Sequence, residues 1–152
     1  MRVRGFTLVE LLVVLAIMAI ISAIAVPIYS QYSQRTMRTD AQGDLMGCAQ
    51  GMERHASQFF TYASAVDTNA DLVGDADTGT VTGNICNPRT TQYVLALVAP
   101  VNANQFTVRA TPQAGPMAGD GIIEVDAAGN FRWDENNDGD FDDAGENDWA
   151  ED

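Results

Sequence analysis

The sequence contains no lysine, one histidine and two cysteines, and each scarcity removes a class of function. Eight arginines face 21 acidic residues, for a formal net charge of −13. Such a surface repels phosphate backbones, which argues against direct nucleic-acid binding. The single histidine, His55, stands beside Glu53 and Arg54 on a helical pattern, the setting of a solvated face rather than an active site. A nucleophile elbow, a phosphate loop and an HExxH motif are all missing, so no class of enzyme finds support. Neither CxxC spacing nor a nearby histidine completes a zinc set around Cys48 and Cys86. In an exported domain that pair reads as a disulfide, contributing about 4 kcal/mol at most in the chain-entropy account.

What is present is segregated. The chain of 152 residues fits one domain plus its ends. Residues 11–28 carry no charge and are interrupted only by Ser22 and Pro27, whereas the stretch from Asp134 to Asp152 is crowded with acids. As a helix, residues 6–29 would span roughly 36 Å, enough to cross a bilayer. Arg2 and Arg4 precede the segment, so the positive-inside bias keeps the extreme N-terminus in the cytoplasm and sends the remainder outward. Ala23-Ile24-Ala25 also offers a signal-peptidase site, which would leave an exported calcium-dependent binding or adhesion domain beginning at Val26. Two details oppose that reading: the apolar run starts directly after Gly5, and Glu10 lies inside it, where an unpaired carboxylate is costly and marks a function.

Gly5-Phe6-Thr7-Leu8-Val9-Glu10 resembles the prepilin motif of type IV pilins and of type II secretion pseudopilins. The resemblance implies cleavage between Gly5 and Phe6 by a prepilin peptidase on the cytoplasmic side and N-methylation of Phe6. It also implies that the apolar segment stays on the mature subunit and that an inner-membrane assembly platform builds it into a fibre with other pilin subunits. Glu10 is then the carboxylate that meets the Phe6 amine of a neighbour, a charge left unsatisfied until a partner arrives. The precursor would sit in the inner membrane of a Gram-negative bacterium and the mature chain in an extracellular pilus.

Helical spacing continues through Tyr29, Tyr32, Met37, Ala41, Leu45 and Met52 to Phe59 and Phe60, so one helix is expected over residues 6–60, kinked or locally melted at Pro27. Gly43, Gly47 and Gly51 recur every fourth residue as a smooth stripe, expected to pack within the subunit. Residues 61–90 read as a variable loop, and four strands follow at 91–98, 105–111, 121–126 and 130–133, the last two joined by a turn at residues 127–130. The fold class is α+β: a long N-terminal helix on a C-terminal antiparallel sheet, the pilin fold. Its parts are a leader (1–5), an apolar half-helix (6–29), an amphipathic half-helix (30–60), the loop (61–90), a β-meander (91–133) and an acidic loop (134–152).

That acidic loop places Asp134, Asn136 and Asp138 at alternate positions before Gly139, the start of a calcium loop, in which hard oxygen ligands converge across a sharp turn. Asp142 completes a DxDxDGxxD-like spacing, Asp140 offers its backbone carbonyl, and Glu146 stands one place beyond the EF-hand position. A structural Ca2+ is the cofactor expected there. Some pseudopilins carry calcium where Gram-negative pilins close the C-terminal region with a disulfide, and this chain has no cysteine after Cys86. The functional expectation is a minor pilin of a type IV pilus, with a type II secretion pseudopilin as the alternative in the same structural class.

Overall fold

The computed structural model describes residues 6–149 apart from Ala70, Leu72 and Thr82. The chain divides into two compact units, Met1–Arg35 and Thr36–Asp152.

One helix, α1, runs Leu8–Phe59. It starts two residues later than expected because Thr7 caps it. The Thr7 hydroxyl accepts the Glu10 amide at 3.2 Å, and the Glu10 carboxylate accepts the Thr7 amide at 2.8 Å, the reciprocal capping box. The helix ends where Phe60 turns to φ 59°, a left-handed conformation that cannot extend an α-helix. The melting expected at Pro27 is absent, for the residues on both sides remain helical. A proline deletes one backbone donor, and the neighbouring turns keep theirs. In the first unit the large apolar side chains from Leu8 to Ile28 stay exposed. Among the described residues they lie in the one helix long and apolar enough to cross a membrane, with a mean hydropathy of 3.0 over its best window.

Within the second unit, the remaining turns of α1 bury Arg38, Ala41, Leu45, Cys48 and Met52, a three-to-four-residue stripe that faces the sheet. The sheet is an antiparallel meander in chain order: β1 (Gly79–Thr80), β2 (Tyr93–Val98), β3 (Thr107–Pro112), β4 (Ile123–Asp126) and β5 (Phe131–Trp133). Alternation puts Tyr93, Leu95 and Leu97 of β2 inward, and Leu97 stands opposite Val108, which stands opposite Val125. The four expected strands are all present, each slightly shorter than its apolar pattern. β1 was not expected, since two residues cannot show a period of two. Residues 61–90 also supply Ala65, Val66, Val81 and Ile85 to the core, so the loop is packed rather than merely solvated. The β4–β5 turn is built as expected: Gly129 takes φ 80°, and the Asp126 carboxylate accepts the Ala128 and Asn130 amides.

Candidate functional sites: the helix N-terminus and an acidic cluster

Gly5, with Arg2 and Arg4, lies outside the described residues. Phe6 precedes the helix and is exposed. Glu10 was expected to have no partner within its own subunit. Instead its Oε2 accepts both the amide and the hydroxyl of Thr7, each at 2.8 Å. Thr7 is the residue that sequence reasoning passed over, although Thr-x-x-Glu before an apolar run is a capping-box signature.

Cys48 on α1 and Cys86 in the loop are bonded, with Cα atoms 4.9 Å apart. The bond ties the loop to the helix beside Gly51, where an added Cβ would overlap the Ile85 carbonyl. The other two glycines of the stripe do not fit the expectation of packing within the subunit, because nothing lies within 4 Å of a Cβ built on Gly43 or Gly47. Of the three glycines, only Gly51 has the loop backbone against it. His55 is half-buried: its Nε2 lies 3.2 Å from the Ala63 carbonyl and its ring sits 4.7 Å from that of Phe59, a packing role more than a solvated face.

After β5 the chain turns through Asn137 (φ 56°) and Gly139 (φ 97°), conformations open to asparagine and glycine. Asp134, fully buried, accepts the Asp138 amide on Oδ1 at 3.0 Å and the Gly139 amide on Oδ2 at 3.1 Å. The chain then returns, so that the Glu146 carbonyl accepts the Trp133 amide at 3.0 Å. One carboxylate oxygen each from Asp134, Asp138 and Glu146 falls within a 4.8 Å group. Glu146 is only 2 % exposed, and its Oε1 has no hydrogen-bond partner among the described residues. A buried carboxylate oxygen with nothing to accept from is strongly disfavoured, and a hard cation is what such an all-oxygen set accommodates. The residues therefore fit a metal ion.

The cluster differs from the ligand set read from spacing. The carboxylates of Asp140 and Asp142 lie outside it: one oxygen of Asp140 accepts the Asp142 amide at 3.0 Å, and Asp142 is exposed. The ligand expected from Asp140 was its backbone carbonyl, on which this grouping of carboxylates has no bearing. Asn136 uses its amide on Asp138 and Asp143, and its carbonyl on the Asp138 amide at 2.9 Å. Asn136, Asp138 and Asp140 form successive Asx turns, each accepting the amide two residues on.

A second buried network was invisible in the sequence. Arg38 on α1 donates from Nε to Asp120 at 2.9 Å and pairs with it again through Nη2, while the Tyr93 hydroxyl donates to the same carboxylate. The guanidinium lies 3.7 Å from the centroid of the Trp133 ring, whose Nε1 donates to the Asp120 carbonyl at 2.8 Å. Burial, reinforced by the bond to Asp120, pushes the Tyr93 hydroxyl far above its ordinary pKa.

A long capped helix on an antiparallel meander, with an exposed apolar N-terminal segment, defines a structural subunit of the type IV pilin class. Residues 1–26 match the prokaryotic N-terminal methylation motif. Residues 27–121, well over half the chain, match the family described as type IV minor pilin ComP, DNA uptake sequence receptor, and the chain belongs to that family. Comparison with curated proteins and with solved structures finds no match.

Proposed function

We propose that this chain is a minor subunit of a type IV pilus, assembled through residues 6–29 after cleavage between Gly5 and Phe6 and methylation of Phe6. The observation that carries this reading is the continuity of the methylation motif with a helix whose large apolar side chains find no cover within the subunit. The family match favours a minor pilin over a secretion pseudopilin. The precursor spans the inner membrane of a Gram-negative cell, meets the prepilin peptidase and the assembly platform there, and leaves as part of a fibre. Glu10 exchanges its Thr7 partner for the Phe6 amine of a neighbouring subunit. Mass spectrometry of the mature chain tests this directly: methyl-Phe6 is expected, and a chain beginning at Val26 would replace the pilin reading with an exported domain. Gly5→Val should leave an uncleaved precursor.

The family is named for a DNA uptake sequence receptor. In this chain the net charge of −13 opposes phosphate contact, and Arg38, Arg109 and Arg132 are paired with Asp120 or Glu124. Fibre assembly without direct DNA binding is the reading these charges favour. Retention of duplex DNA in a low-salt mobility-shift assay would instead assign the receptor role.

The cation we assign to Asp134, Asp138 and Glu146 is Ca2+, which takes carboxylate ligands in flexible geometry, whereas Mg2+ keeps its waters and demands a tight octahedron. At 100 times the dissociation constant, binding to the folded state alone would add about 2.7 kcal/mol. The melting midpoint should therefore rise by several degrees in millimolar calcium, and identical curves in calcium and chelator would end the assignment.

A further inference from the structure

The acidic cluster and the Arg38 clamp share their supports. Asp134, at the floor of the cluster, donates its amide to the Ile122 carbonyl at 2.9 Å, and Gly121 has no room for a Cβ because the Asp134 carbonyl fills that space. Trp133, next along the chain, is hydrogen-bonded through its amide to Glu146 and through its indole to Asp120, while its ring seats the Arg38 guanidinium. Two short backbone segments, 120–122 and 133–134, therefore carry Asp134 of the cluster together with Asp120 and Trp133 of the clamp, and Glu146 is joined to them through the Trp133 amide.

Three carboxylates within a 4.8 Å group repel one another, and the unpartnered Oε1 of buried Glu146 bears much of that cost. The segment best able to relieve it is the return from Asp143 to Glu146. Within itself it holds by the Glu146 amide on the Asp143 carbonyl at 3.4 Å and the Asp143 amide on Glu146 Oε2 at 3.2 Å, and it is tied to the rest by the Asn136 amide on the Asp143 carboxylate at 2.7 Å and by the backbone bond from Trp133 to Glu146. Outward movement of Glu146 breaks the last of these and frees the residue on which Arg38 rests.

We propose that occupancy of the Asp134, Asp138 and Glu146 cluster by a divalent cation governs how firmly the helix turn carrying Arg38 is held to the sheet. This rests on the cation reading above. Filling the site fixes Glu146, hence Trp133, hence the surface under Arg38 and the Asp120 carboxylate that Arg38 and Tyr93 share. The site acts as a tightening screw for the part of α1 within the second unit.

Hydrogen exchange followed by mass spectrometry on the full chain in detergent micelles, in calcium chloride and in chelator, provides the test. Calcium should slow exchange of amides 36–42 roughly tenfold, a coupling of ordinary size, as well as those of residues 133 and 134. Tryptophan-sensitised terbium luminescence, competed with calcium, reports binding separately. Binding with unchanged exchange at residues 36–42 overturns the coupling and leaves the cation site standing, and no binding overturns both. Asp138→Asn, at an exposed ligand, should fold normally and lose the calcium response. Coupling is reciprocal, so Arg38→Gln should weaken calcium binding about fivefold. Bare electrostatics gives the opposite sign, since removing a positive charge near carboxylates should tighten a cation. Unchanged or tighter binding in Arg38→Gln would refute the proposal. Tyr93→Phe, which loosens the same clamp without changing charge, should weaken binding in the same direction should Arg38→Gln fail to fold.

Discussion

The two stretches of α1 are one helix in sequence and two different solutions to the hydrophobic effect. Up to Arg35 the helix carries large apolar side chains that nothing else in that unit covers, and Leu15 is 57 % exposed. Beyond it the apolar residues narrow to a stripe, and Leu45 is 0 % exposed against the sheet. A residue's contribution to folding is set by the water it leaves behind. The first stretch therefore contributes little to the stability of the folded domain and, on the function proposed above, much to insertion and assembly, whereas the second does the reverse.

The largest effect that could break this comparison is at Glu10. Glu10→Leu should still be processed and inserted, because it makes the segment more apolar, yet enter fibres poorly. Quantifying the variant in sheared pili against its cellular pool checks this, and incorporation equal to wild type would remove Glu10 from assembly. The comparison sharpens with one substitution made in both halves. Leu45→Ala should destabilise the folded domain by about 2–5 kcal/mol through lost burial and a cavity, while Leu15→Ala should leave thermal unfolding of the domain unchanged. Similar losses at both sites would mean that the first stretch is covered after all.

The glycine stripe supplies a smaller contrast of opposite signs. Gly47→Ala should stabilise by about 0.5–1 kcal/mol, because alanine favours the helix and the space beside it is open. Gly51→Ala should destabilise, because its methyl would strike the Ile85 carbonyl beside the Cys48–Cys86 bond. Chemical denaturation of the two variants reads both signs. The smallest effect is at the β4–β5 turn. Burial alone would raise the Asp126 pKa, but bonds from Asn130 and Ala128 outweigh it and hold the carboxyl below its usual value. A depressed folded-state pKa means stability present above the ordinary carboxylate range near 4 and lost as pH falls through the folded value. Asp126→Asn should therefore flatten the acid limb of the stability profile slightly and change little at neutral pH.

Legibility followed the range of the interactions. The apolar segment, the helix beyond Pro27, the four longer strands and the turn at Gly129 were readable because periodicity and turn chemistry act over a few residues. The cap at Thr7 is equally local but hidden behind a second role, because a carboxylate inside an apolar segment is at once a charge in need of a partner and a hydrogen-bond acceptor for the residue three places back. The acidic loop was legible only as a neighbourhood. Spacing suggested the Asp142 carboxylate and the Asp140 backbone carbonyl as ligands, but the carboxylates that converge are those of Asp134, Asp138 and Glu146, the last brought back by its backbone bond to Trp133.

By itself the sequence determined that the chain has an apolar helix fit for a membrane, an anchor motif at its start and a meander at its end, because each rests on contacts among neighbours. Only the tertiary structure decided that Arg38 meets Asp120 across 82 positions, that one glycine of three is covered, and which carboxylates converge. Those outcomes depend on where the sheet lands on the helix. Side-chain packing settles that over long separations, beyond the reach of any local pattern.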